Sequence, residues 1–154
     1  MKLLGIHHIT AIAGEPQQNL DFYAGLLGLR FVKRTVNFDD PSSYHFYFGD
    51  RTGKPGTAMT FFPWPGARRG TRGSGQVIAT SFAVQSESID YWKSRFAEHH
   101  VVYEEIAMRF GDRALRLADD VLRHKIVRIP EKTAGRKLPV ATVPAASKEE
   151  NADG

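Results

Sequence analysis

The sequence predicts an α+β chain made of two βαβββ modules, and three observations carry that expectation. Segments with the period of strands and of helices follow one another in the same order twice. The string Leu20-Asp21-Phe22-Tyr23 returns as Ile89-Asp90-Tyr91-Trp92, at a period of about seventy residues. A Gly- and Arg-rich stretch between them reads as a linker.

The first module is expected over residues 1–62. In Gly5-Ile6-His7-His8-Ile9-Thr10-Ala11-Ile12-Ala13, apolar and polar residues alternate as in a half-buried strand. His8, Thr10 and Ile12 then share one face, taken as the enclosed one, while His7, Ile9 and Ala11 share the other. Glu15-Pro16 opens a helix, since proline tolerates the first turn. Leu20, Tyr23, Ala24 and Leu27 recur at helical spacing, and Gly28 ends the run as a C-terminal glycine does. Strands follow at 29–36, 44–48 and 57–62, separated by turns rich in Asp, Pro, Ser and Gly.

Residues 63–75 form the linker and 76–130 the second module. A strand at 76–84 leads to a helix capped by Ser86, with Ile89, Trp92, Phe96 and Ala97 as its apolar stripe and His99-His100 at its C-terminal end. Three further strands are expected at 101–108, 114–118 and 122–129, broken by Gly111-Asp112 and Asp119-Asp120. Residues 131–154 hold no aromatic residue and accumulate Ala, Pro, Lys, Glu and Gly, the composition of a disordered tail.

With 154 residues, 42% of them hydrophobic, the chain can bury a core of its own. No sustained apolar run marks a signal peptide or membrane helix. The absence of cysteine rules out disulfide and thiolate chemistry and fits the cytoplasm. Any metal would be held by imidazole and carboxylate. The net charge of +4 and a pI of about 9.5 raise the question of nucleic acid. The basic residues are nevertheless spread along the chain, and their one cluster lies in a glycine-rich connector, so no nucleic-acid partner is expected. No nucleophile–base set and no phosphate loop stands out.

Read singly, a strand histidine such as His8 is most simply a hydrogen-bonded structural residue. Its surroundings change that. The stretch from Gly5 through His7-His8-Ile9-Thr10 to Gly14, Val36-Asn37-Phe38-Asp39-Asp40-Pro41, Tyr44-His45, and Thr60-Phe61-Phe62-Pro63-Trp64-Pro65-Gly66-Ala67-Arg68-Arg69-Gly70 resemble a family pattern. The chain is similar to the vicinal oxygen chelate superfamily, which includes glyoxalase I, bleomycin- and fosfomycin-resistance proteins and extradiol dioxygenases. Within it, the likeness is to the N-terminal domain of ring-cleaving dioxygenases acting on hydroquinones, and it covers about residues 4–129. The resemblance implies curved, mostly antiparallel sheets around a site for Fe(II) or another divalent metal. It implies His8 as a metal ligand, with His7 and Thr10 as supports.

The departures carry equal information. Where single-domain relatives place a second histidine, this chain has Ala79; where a glutamate is expected, it has Lys125. A protonated ammonium has no lone pair to give. In the ring-cleaving family the missing His and Glu belong to a second, C-terminal domain, so the chain is expected to hold only the N-terminal half of a metal site. Partners implied are a small aromatic substrate and either a homodimer or a complementary C-terminal-type domain, with no membrane. His45 either faces the cavity or is a hydrogen-bonded sheet histidine. Phe61, Phe62 and Trp64 are core, interface or substrate-lining residues. The alternative function is a non-catalytic module of the same fold that binds or sequesters small aromatics.

Overall fold

The computed structural model describes residues 5–68, 77, 79–109, 112–119 and 124–130. The expected linker beyond Arg68 and the tail from Glu131 lie outside the described residues, as do the side chains at 107–109, 112 and 124–130. The element order is β1 (His8–Ala13), α1 (Pro16–Leu20) continuing as a π-helical segment (Asp21–Leu26), β2 (Arg30–Val36), β3 (Tyr44–Gly49), β4 (Ala58–Pro63), β5 (Ala79–Val84), a 3₁₀ turn (Ser86–Ser88), α2 (Ile89–Glu98), β6 (Tyr103–Arg109), β7 (Asp112–Asp119) and β8 (His124–Pro130). Two βαβββ modules are therefore present.

Each module forms a four-stranded sheet, in the orders β1-β4-β3-β2 and β5-β8-β7-β6. The first and last strands of each module pair in parallel and the remaining pairs are antiparallel. The helix supplies the crossover that a parallel pair requires.

The first helix begins at proline, as expected, but tightens into α-helix only to Leu20 and then widens into a π-helical turn. That widening shifts the buried positions to Asn19, Tyr23, Leu26 and Leu27, and leaves Leu20 and Ala24 only half-buried. Gly28 follows at φ 66°, where a side chain would be strained, and the Leu29 amide donates back to the Tyr23 carbonyl. In α2, Ile89, Trp92 and Phe96 are buried as the stripe predicts, but Ala97 is exposed. Ser86 does not cap this helix. It opens the 3₁₀ turn, and Ser88 at the cap position donates its hydroxyl to the Gln85 carbonyl instead of accepting a helix amide. At the other end His100 takes the left-handed place that Gly28 takes in the first module, at φ 53°.

One core joins the modules. Tyr23, Phe48 and Phe61 pack ring to ring, with centroids 4.4–5.7 Å apart, and share a cluster with Phe82, Trp92, Phe96, Leu115 and Leu117. Two polar contacts reinforce it. The Tyr23 hydroxyl donates to Asp119 Oδ2 at 2.9 Å, both residues being fully buried. Arg95 of α2 donates to the Leu26 and Gly25 carbonyls at 2.8 and 2.6 Å, satisfying the end of the first helix from the second module.

Burial, and then the charge and hydrogen bond of Asp119, push the Tyr23 phenol well above its ordinary range. Its stabilising contribution is fully present below the unfolded phenol value of about 10 and is lost as pH rises through the folded value. Tyr23→Phe should cost about 1.5–3 kcal/mol in urea denaturation at pH 7 and remove this alkaline limb of the stability profile. His100→Gly should raise stability by about 1 kcal/mol in the same assay, by relieving the left-handed backbone.

Candidate functional site

The site is built on the face of the first sheet that the helix leaves uncovered. Along β1, Ile9, Ala11 and Ala13 turn toward the core, whereas His8, Thr10 and Ile12 are exposed. The shared face of His8, Thr10 and Ile12 is thus as expected, but it is open rather than enclosed in this chain, with Ile12 53% exposed. The parallel register sets His8 beside Ala58, Thr10 beside Thr60 and Ile12 beside Phe62. The antiparallel registers add Tyr47 opposite Thr60, Lys33 opposite Tyr47 and Thr35 opposite His45.

At one end, the Gly56 amide donates to the His7 carbonyl and fixes the entry to β1. His7 Nδ1 and His8 Nδ1 lie 2.9 Å apart in a hydrogen bond. With the proton on His8 Nδ1 and the lone pair on His7, His8 Nε2 is left as a free donor to a cation. This is the orienting contact that metal-ligating histidines require. Further along the same face, the Thr10 hydroxyl bonds that of buried Thr60 at 2.8 Å.

At the other end, aromatic rings form a row. His45 lies with its ring centroid 4.1 Å from both Tyr47 and Phe62, and Phe62 stacks with Trp64 at 6.2 Å. Trp64 Nε1 donates to Asp40 Oδ2 at 3.1 Å, tying the β2–β3 turn to the end of the row. Bonds from the Ser42 hydroxyl and amide, and then from Trp64, hold the Asp40 carboxyl below its usual range. Burial, followed by the electrostatic influence of neighbouring His8 and Lys33, lowers His45 from its ordinary value and favours its neutral form.

Shared registers and ring contacts connect His8, Thr10, His45, Phe62 and Trp64, with His7, expected on the other face of the strand, joined to them through His8; sequence reasoning missed three of their neighbours. Tyr47 and Thr60 follow from period-two counting out from His45 and Phe62. Lys33 does not, because a β-bulge between Phe31 and Lys33 lets Phe31 enter the core while Lys33 joins the open face, with its ammonium 4.3 Å from the Tyr47 ring centre. Phe61 is core and fully buried. In the second module Ala79 opens β5 as His8 opens β1, and its register partner on the last strand is Lys125.

The sequence model of the Glyoxalase/Bleomycin resistance protein/Dioxygenase superfamily matches residues 5–120. The chain belongs to this superfamily. Among superfamily members it is 56% identical over 118 residues to a Bacillus subtilis (strain 168) protein named "Putative ring-cleaving dioxygenase MhqO", covering 77% of this chain and 38% of that protein. It is 37% identical over 113 residues to the chlorohydroquinone/hydroquinone 1,2-dioxygenase of Sphingobium indicum, covering 72% of this chain and 35% of that one. A crystal structure of a "putative dioxygenase" from Bacillus subtilis superposes with a TM-score of 0.81 at 46% identity, over 92% of this chain and 47% of that chain. The chain thus spans less than half the length of these relatives. No helix among the described residues is long and apolar enough to cross a membrane.

The two faces of β4 should respond differently to truncation. Phe61→Ala empties a fully buried position and should cost about 3–5 kcal/mol by chemical denaturation. Phe62→Ala, on the half-buried open face, should cost clearly less.

Proposed function

We propose that this chain supplies one part of the site of an extradiol-type, ring-cleaving dioxygenase that works in the cytoplasm on hydroquinone- or catechol-like aromatics. His8 is its imidazole donor to Fe(II) or another divalent metal. The observation that carries this reading is His8 with Nε2 left free by the bond to His7, on an uncovered face that continues into a row of rings. The names of the relatives support the reaction class, and the hydroquinone dioxygenase among them supports the substrate class.

The donors among the described residues do not complete a metal site. Among the described residues no group of three or more His, Asp or Glu side chains is placed to hold an ion. Ala79, in the position equivalent to His8, has no lone pair to offer. A single imidazole falls short of the two histidines and one carboxylate that leave open positions on a catalytic iron. The remaining donors therefore come from a complementary C-terminal-type domain or from a second chain. The residues of this chain bind and orient: Phe62 and Trp64 receive the ring, and His7 fixes the His8 imidazole.

A second reading, a module that binds small aromatics without cleaving them, is favoured by the ring row alone, which needs no metal. Metal analysis separates the two. The purified 154-residue chain, loaded with Fe(II) and dialysed, should retain far less than one iron per chain. Ring cleavage should appear only when a complementary polypeptide is added, and His8→Ala should abolish it. In the assembled enzyme His7→Ala should weaken metal affinity by about 10–100-fold. Stoichiometric iron on this chain alone would overturn the incomplete site, whereas aromatic binding with no cleavage in any mixture would favour the second reading.

A further inference from the structure

One polar atom of the open face is left without a partner. His45 Nε2 is buried and makes no hydrogen bond among the described residues, while Nδ1 of the same ring is bonded to the Tyr47 hydroxyl at 2.8 Å. A buried polar nitrogen without a partner costs about 1–3 kcal/mol, so a group that repeatedly occupies the face can recover that cost by pairing with it.

The neighbours decide which kind of group fits. Lys33 stands over the Tyr47 ring, 4.3 Å from its centre, drawing electron density toward the cation and making the hydroxyl the better donor. Tyr47 then donates to Nδ1, and the proton of the neutral imidazole resides on Nε2. The ring thereby carries one N–H donor, buried beside the Tyr47 and Phe62 rings and the Phe62–Trp64 stack, which a ligand on this face reaches by displacing a neighbouring ring. Its complement is an aromatic ring bearing an oxygen acceptor.

We propose that His45 is a specificity-determining residue that reads a ring oxygen of the bound aromatic through Nε2–H, and that Tyr47 is the positioning residue that fixes this tautomer. The proposal deepens the aromatic-ligand reading above and rests on it. His8 and His45 then divide the recognition: β1 carries the cation donor, and β3 carries the group that distinguishes an oxygenated ring from a bare one.

The test uses the full 154-residue chain without metal and two probes of similar shape, hydroquinone and 1,4-dimethylbenzene. His45→Phe keeps a ring in the row and removes the donor, and it should lower the ratio of hydroquinone to dimethylbenzene affinity about tenfold. Nitrogen-15 spectra of the histidine rings should place the His45 proton on Nε2 in the wild-type chain, with Tyr47→Phe mixing the tautomers and hydroquinone moving the Nε2 resonance. An unchanged affinity ratio in His45→Phe, or a His45 proton found on Nδ1, overturns the proposal while leaving the aromatic reading standing. A wild-type chain that binds neither probe overturns both.

Discussion

The alternation of β1 is the constraint on which the rest depends. A strand offers its side chains to two faces in turn, and here Ile9, Ala11 and Ala13 give one face to the core while His8, Thr10 and Ile12 are left on the other. Parallel pairing with β4 extends the division, since Met59 and Phe61 go inward and Ala58, Thr60 and Phe62 stay on the open side. A slip of β1 by one residue in this register would turn His8 and Thr10 inward and expose Ile9, Ala11 and Ala13. The buried core and the polar and aromatic face are thus assigned to opposite sides of the same few strands.

The open face is economical in its polar groups. Three of its polar side chains are tied to a neighbour that sets their orientation: His8 to His7, Thr10 to Thr60, His45 to Tyr47. The β2 bulge brings Lys33 to the same surface, so the aromatic end carries a fixed positive charge of its own. At the corresponding place in the second module, the first strand opens with alanine. The duplicated architecture therefore repeats the scaffold in both halves and the strand-opening histidine in one.

Much of this was legible in the amino-acid order. The repeat, the strand count, the face shared by His8 and Thr10, and the buried Ile89, Trp92 and Phe96 all follow from periodicity, because burial on one side leaves a regular imprint. What periodicity misses is where the period itself changes. The π-helical turn moves burial to Asn19 and Leu26, and the bulge at Val32 sends Phe31 and Lys33 to opposite faces, so neither outcome can be counted out from a fixed repeat. Ser86 misleads for a related reason, as the backbone closes a tighter turn before the α-helix starts. The openness of the His8 face was also hidden, because alternation distinguishes two sides of a strand without saying which of them another layer covers.

The Arg95 clamp has a consequence for how such a protein can be divided. Its guanidinium closes the carbonyl end of a helix that belongs to the other repeat, and Tyr23 anchors in Asp119 across the same boundary. Cutting the polypeptide between the repeats would release two pieces, each holding half of an oily interior and polar groups whose mates had departed. The two repeats of this chain are thus held to one another by polar pairs as well as by the apolar interior they share.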